Sequence, residues 1–332
     1  MNAALTTVIF GGAGFIGLNI AEHLLEQNSS VVVFDAAPIP AEAFGYLSSL
    51  PGTLTSVQGS ILDPASIRPA FAKPVDSIVY GAAITADAKR DATDPEQIIE
   101  VNLVGLIRVM RAARDADVRR VINLSSVSAY GDAAFGDKPL AEDAPKADPI
   151  SLYSLTKFGS ERAAARLGQL WDMDVRSVRL SGIFGRWERQ TGVRDTLSPH
   201  FQVMQRALRG EPALFARRDQ RDWTYAGDVA NAVTTLIDAP ELGHGLYNVS
   251  GNAVVSAFDW GQRLADITPG FDCRLVEKNE TPTINLHGHE DRQPVNISRL
   301  IADTGYVPQF NTARSVEEFE SWARLNPWAF SD

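Results

Sequence analysis

The first half of the chain alternates short β-branched runs with longer stretches of helical period. "TTVIF" (6–10), "SVVVFD" (30–35), "TLTSVQG" (53–59), "VDSIVYGAA" (75–83) and "RRVINLSS" (119–126) read as strands. Between the first two, "GFIGLNIAEHLLEQN" repeats its apolar residues at helical spacing. "DPEQIIEVNLVGLIRVMRAARDADV" (94–118) predicts a long helix, with Asp94 as N-cap and Pro95 as its first residue. That helix is apolar around much of its circumference, so it should be covered on more than one side, with sheet and partner subunit as the candidates. Uninterrupted apolar strands alternating with helices predict an α/β fold: a Rossmann-type, doubly wound parallel sheet.

After "DVRSVRLSGIFG" (174–185) the rhythm changes. An arginine-rich loop leads to a helix opened by "SPH" at 198–200, whereas "WTYAGDVANAVTTLIDA" (223–239) and "GLYNVSG" read as a helix and a strand returning to the main sheet. Beyond 251 the elements are short, and the closing "SVEEFESWARL" sets Ser315 and Glu318 at capping-box spacing. The expected division is a nucleotide-binding domain at 1–181 and 223–250, with a smaller, interleaved substrate lobe at 182–222 and 251–332.

A chain of 332 residues with 45% hydrophobic and 22% charged residues suits one large globular unit with an attached lobe. Its net charge of -10 and lack of a basic face argue against nucleic acid as a partner. The only cysteine, Cys273, can form no internal disulfide, and the N-terminus lacks the basic region of a signal peptide. No apolar run is long enough to span a bilayer, so cytoplasm is the expected setting.

The turn "VIFGGAGFIG" follows a strand and opens a helix. Gly11, Gly14 and Gly17 there allow a tight turn, a close approach to a pyrophosphate and tight helix–strand packing, with Phe15 and Ile16 between them. The helix N-terminus adds free N–H groups for the phosphates. Asp35 ends the next strand, about twenty residues on, where a carboxylate accepts hydrogen bonds from an adenosine ribose and repels a 2′-phosphate. The cofactor expected is therefore NAD.

"SLYSLTKFG" sets Tyr153 and Lys157 four residues apart, on one face of a helix. A phenol acts as a base near neutral pH only if its pKa falls from about 10, and a neighbouring ammonium moves it that way. The lysine could also donate to cofactor ribose hydroxyls. A hydroxyl bonding the same substrate oxygen would complete the set, and "INLSSVSAYG" offers one at the carboxyl end of a strand.

With these pieces the sequence resembles the extended short-chain dehydrogenase/reductase family, in its NAD-dependent epimerase/dehydratase branch typified by UDP-glucose 4-epimerase. The resemblance rests on "GGAGFIG", Asp35, "VYGAA", "EVNLVG", "LSSVSAYG", "YSLTK", "VRLSGIFG" and "RDWTYAGDVA", in the family's order. It implies that Tyr153 is the catalytic acid/base, Lys157 its partner and Ser126 the catalytic hydroxyl. Gly81, Ala82 and Ala83 would line the cofactor, with Asn102 in the helix behind them. It also implies a homodimer built by the helices near 94–118 and 151–171.

Four departures refine the resemblance. Phe10 replaces a common threonine before the glycines, and Ser60, beside Ile61, replaces the acid that contacts adenine. Val127 and Ser128 stand where the dehydratases carry Asp-Glu, which argues against water elimination. Gly182 stands where nucleotide-sugar epimerases have a ligand-contacting asparagine. Substrate contacts are therefore expected from arginines, whose forked donors suit carboxylate or phosphate. The candidates are Arg186, Arg189 and Arg194 in one loop, Arg217, Arg218 and Arg221 in the next, and Arg292, with Arg221 and Arg292 matching family positions.

"HGH" (287–289) lacks further ligands at metal-binding spacing, so no metal is expected. "SSVSAYG" lacks the flanking glycines of a nucleophile elbow, which sets acyl transfer aside. The reading is a sugar epimerase working through a transient ketone on a sugar-like, anionic substrate. The alternatives are a dehydrogenase of a free sugar or sugar acid, and a dinucleotide-binding sensor without turnover.

Overall fold

The computed structural model describes residues 5–286, 288 and 290–331. Seven strands form one parallel sheet: β1 (Thr6–Phe10), β2 (Ser30–Asp35), β3 (Thr53–Gln58), β4 (Ser77–Tyr80), β5 (Arg120–Ser126), β6 (Asp174–Leu180) and a last strand, Leu246–Val249. Their order across the sheet places β1 between β4 and β2, with β3 at one edge and Leu246–Val249 at the other. The chain reverses direction across the sheet between β1 and β4, which opens a crevice at the strands' carboxyl ends, the usual ligand site of such sheets. β1 and β4 are almost wholly buried, as their unbroken apolar runs require.

Helix α1 (Phe15–Glu26) follows the glycine turn and packs against the helix Ala226–Asp238 on one face of the sheet. On the other face, the helix predicted over 94–118 runs as Pro95–Ile99, one π-helical stretch at Glu100–Val104, and Gly105–Asp115. The π-helical turn presents Asn102 inward, a use of such turns often seen near functional sites. Leu152–Trp171 lies beside it, and Ser151 and Ser154 close a reciprocal capping box at its start.

The remaining strands pair in twos: Ile183–Phe184 with Thr224–Tyr225, Gln220–Arg221 with Val255–Ser256, and Ala213–Phe215 with Cys273–Leu275. The closing helix begins at Thr312 rather than at Ser315. Asn311 is its cap, accepting from Arg314 N–H, while Ser315 Oγ donates to the Thr312 carbonyl. The capping box expected at Ser315 and Glu318 is thus absent, because an asparagine four residues earlier already meets the open N–H groups. Trp260 and Trp322 are buried in the core cluster, where both pack against Phe319. No helix among the described residues is long and apolar enough to cross a membrane.

Candidate active site

The glycine turn is shaped by close approaches. Gly11 has φ +80°, and a Cβ there would lie 2.5 Å from the Ala82 nitrogen. A Cβ on Gly17 would come within 2.4 Å of the Gly11 carbonyl oxygen. Both positions therefore exclude larger residues, and the turn is drawn tightly against the segment that follows β4. Gly14 differs, since its Cβ would meet only the Gly11 oxygen, at 3.2 Å, and otherwise face open space. That opening lies at the N-terminus of α1, where a diphosphate can reach backbone N–H groups. The turn fits a dinucleotide.

Asp35 lies beside it. Its carboxylate accepts from Ala13 N–H and Ala37 N–H, each at 3.1 Å. Burial raises its pKa, while these bonds and the charge of Arg189 act in the opposite direction. Ser60 and Ile61 follow β3 next to it, where Ser60 Oγ accepts from Leu62 N–H and Ile61 is buried against Gly105. Gly81 N–H donates to the Phe10 carbonyl, holding Gly81, Ala82 and Ala83 at the ends of β4 and β1. Asn102 anchors this segment from behind. Its amide bonds both Ile84 N–H and Ile84 C=O, and also Thr156 on the neighbouring helix.

Across the crevice, the phenol of half-buried Tyr153 hydrogen-bonds Ser126 and Thr85. Burial holds its pKa above the ordinary value, while these two hydroxyls and the charge of Arg194 pull it down. Ser126 Oγ also accepts from Ser128 N–H, which fixes its direction. Lys157 Nζ lies 5.8 Å from the centre of the Tyr153 ring and donates to the Leu124 carbonyl at 2.7 Å. Burial pushes its pKa down to about 8, opposed by Glu161 one turn further along. Glu161 is held in turn by Ser125 Oγ and by a two-point pair with Arg179.

The structure thus brings Tyr153, Lys157 and Ser126 together, and it adds two residues. Thr85 followed the "GAA" run without any marked spacing. Arg194 stood among three arginines of one loop that sequence did not distinguish. The sequence reading gave Lys157 the task of lowering the phenol's pKa. In the structure the charge of Arg194 also acts on the phenol, while the Lys157 ammonium, within reach of the ring, donates to a main-chain carbonyl.

Residues 185–197 form a strap between the two sides of the crevice. On one side, Asn19 Nδ2 donates to the Arg186 carbonyl and Arg189 Nη2 to that of Ala13. On the other, Thr85 N–H donates to the Val193 carbonyl, Asp195 N–H to that of Thr85, and Arg90 pairs with Asp195 at 2.8 Å. The Arg194 guanidinium stacks 5.3 Å from the Phe15 ring and pairs with fully buried Glu188. Glu188 also accepts from both N–H and Oγ of Ser198, tying the strap to the next helix.

Four expected substrate contacts have surroundings that the structure defines. Arg186 leaves the crevice: it pairs with Glu22 and Glu318, at 3.2 Å each, between α1 and the closing helix. Its neighbour Trp187 is drawn the same way by a bond to Glu22 and by Trp322. Gly182 is governed by packing, since a Cβ there would lie 2.7 Å from the Trp223 ring. Arg221 and Arg292 lie close enough for their charges to act on one another. Arg221 pairs with Asp219 at 2.7 Å and faces Trp223, and Arg292 pairs with Asp222 at 2.5 Å. His287 and His289 lie outside the described residues, among which no cluster of three metal-binding side chains occurs.

The profile of the NAD dependent epimerase/dehydratase family matches residues 7–250, most of the chain. The chain belongs to this family. It is an NAD-dependent enzyme of the extended short-chain dehydrogenase/reductase group, and NAD is its cofactor. A dTDP-glucose 4,6-dehydratase of Xanthomonas campestris pv. campestris (strain B100) is 25% identical over 338 residues, covering 97% of this chain and 93% of that protein. Among solved structures, MoeE5 in complex with UDP-glucuronic acid and NAD superposes with TM-score 0.76 at 22% identity, covering 97% of this chain and 99% of that one. A UDP-N-acetylglucosamine 4-epimerase from Methanobrevibacter ruminantium M1, in complex with UDP-N-acetylmuramic acid, gives 0.80 at 18%, covering 97% and 99%. At these identities the structural likeness establishes the shared fold.

Proposed function

We propose that this family member epimerises a secondary alcohol of an anionic sugar, with a nucleotide-linked sugar as the leading substrate class. The observation that carries the reading is the hydroxyl cluster: a half-buried Tyr153 with its phenol bonded to Ser126 and Thr85, and Lys157 one turn along the same helix. Bound NAD supplies the hydride acceptor and, from the opposite face of the sugar carbon, the hydride donor. Tyr153 takes the proton from the sugar hydroxyl as the carbon is oxidised, and gives it back on reduction. Ser126 donates to the same oxygen and keeps it in line. Lys157 holds the cofactor ribose. Arg221 and Arg292 bind the anionic end of the substrate in the lobe formed by 182–222 and 251–332.

Two features favour epimerisation over the neighbouring chemistries. Val127 and Ser128 supply no acid–base pair for water loss, unlike the Asp-Glu of dehydratases. The strap is fastened on both sides of the crevice, which favours a cofactor kept through the cycle. A dehydrogenase that releases reduced cofactor is the second reading, supported by Gly182, whose contact with Trp223 leaves no amide for a nucleotide sugar.

We further propose a homodimer. Ile99 and Leu155 are 40% and 47% exposed on adjacent helices, beside half-buried Leu103. The buried thiol of Cys273, its pKa raised to about 12 by burial, suits a reducing cytoplasm.

The test is a substrate panel of UDP-glucose, UDP-glucuronic acid and free sugar acids, with each product analysed for inversion and for net cofactor reduction. Inversion without net reduction is expected; stoichiometric reduction would favour the dehydrogenase. Tyr153→Phe should abolish either activity and leave NAD affinity within about threefold, since one phenol hydroxyl contributes little to a large ligand's binding. Undiminished turnover in that variant would remove Tyr153 from the reaction.

A further inference from the structure

The three arginines of the strap have different surroundings. Arg186 is neutralised by Glu22 and Glu318, and Arg194 by Glu188. Arg189 has no such partner: among the described residues no carboxylate lies within ion-pair distance of it. Its donors reach only carbonyl oxygens, Nη2 to Ala13 at 2.6 Å and Nη1 to Trp187 at 3.4 Å. Burial depresses its pKa, with the more distant Asp35 opposing. A half-buried guanidinium that touches carbonyl oxygens and no carboxylate is only weakly compensated, and a counter-ion in contact would stabilise it.

Its position indicates which counter-ion. The Ala13 peptide is shared, with its N–H donating to Asp35 and its C=O accepting from Arg189. The next residue is Gly14, whose open face lies at the helix N-terminus. Arg189 therefore reaches the residue that borders the opening where a diphosphate would enter.

We propose that Arg189 binds the diphosphate of NAD, leaving the Ala13 carbonyl for the phosphate oxygens when the cofactor enters. The strap then supplies the positive charge that the glycine turn lacks. This inference rests on NAD occupying the glycine turn. A 2′-phosphate could offer the same chemistry to a guanidinium. Asp35 already takes two N–H donors at the ribose end and would repel that group, so the diphosphate is the ligand.

The experiment measures dissociation constants by calorimetry for NAD, ADP-ribose, NADP and adenosine, with the wild-type chain, Arg189→Gln and Arg189→Lys. Arg189→Gln should weaken NAD and ADP-ribose about tenfold to a hundredfold, the range for a charge-assisted bond to an anion. Adenosine, without a diphosphate, should bind the same within twofold. Arg189→Lys should fall between, keeping the charge but losing the fork, and it serves if the glutamine variant fails to fold. ADP-ribose affinity unchanged in both variants overturns the proposal. So does equal weakening of adenosine, which would mark a disturbed turn, or a loss confined to NADP, which would assign Arg189 to the 2′-phosphate. Wild-type protein that bound no NAD would instead defeat the cofactor reading itself.

Discussion

Lys157 donates from Nζ to the main-chain carbonyl of Leu124 at 2.7 Å, and its side chain is almost wholly buried. Loss of solvent with only a carbonyl in exchange brings its pKa down to about 8, from 10.5 in an unfolded chain. Between those values the unfolded chain binds more protons than the folded one. The contribution of Lys157 to stability therefore rises with pH across that window, and its full cost is felt below it. Relative to Lys157→Met, the wild-type protein should gain on the order of 3 kcal/mol between pH 8 and 10.5. Urea unfolding of both proteins at four pH values checks this. A constant difference between them would contradict it.

Thr85 is one of two hydroxyls bonded to the Tyr153 phenol, and its bond pulls the phenol's pKa down. Thr85→Val removes that bond at nearly constant volume, so the pKa moves further up. The rising limb of the pH–rate profile should shift towards alkali, and turnover at pH 7 should fall about threefold to tenfold, the worth of one hydrogen bond. A lower rate on an unmoved limb would mean that Thr85 acts elsewhere.

What could be read from sequence and what could not differ by the distance over which partners meet. Gly11, Gly14, Gly17 and Asp35 were legible because a strand–turn–helix unit and its neighbouring strand bring them together locally. Tyr153 and Lys157 were legible because one helical turn joins them. The three strap arginines look alike in sequence, spaced within nine residues. Only the fold separates them, by bringing Glu22 and Glu318 to Arg186, a carbonyl to Arg189 and Phe15 to Arg194. Gly182 reads in sequence as a lost ligand contact, and only the fold shows that it also makes room for an indole, since Trp223 lies forty-one residues away.

The glycines of the turn should separate folding from binding. Gly17→Ala places a methyl within 2.4 Å of the Gly11 oxygen and should lower the melting temperature by several degrees. Gly14→Ala has backbone angles that alanine adopts freely, φ −79° and ψ 175°, so the fold should hold. Its methyl enters the opening meant for the diphosphate, and NAD affinity should fall about tenfold or more. Thermal melts and NAD titrations of the two variants give the comparison. Equal effects on both readouts would refute the distinction.

The proposed dimer also has a direct check. Ile99→Glu with Leu155→Glu puts two charges on an exposed apolar surface, where a free monomer tolerates them and a buried interface does not. Light scattering at micromolar concentration should report a dimer for the wild-type chain and a monomer for the double variant. A wild-type monomer would end the proposal.

Thr85 serves two structures at once: its backbone fastens the strap through Val193 and Asp195, and its hydroxyl steadies the phenol. Any movement that unfastens the strap to exchange nucleotide must therefore disturb the proton-transfer group. Protein stripped of nucleotide and mixed rapidly with NAD and sugar should show a lag that preloaded protein lacks. Cofactor admission and proton transfer are then expected to follow one another rather than to overlap.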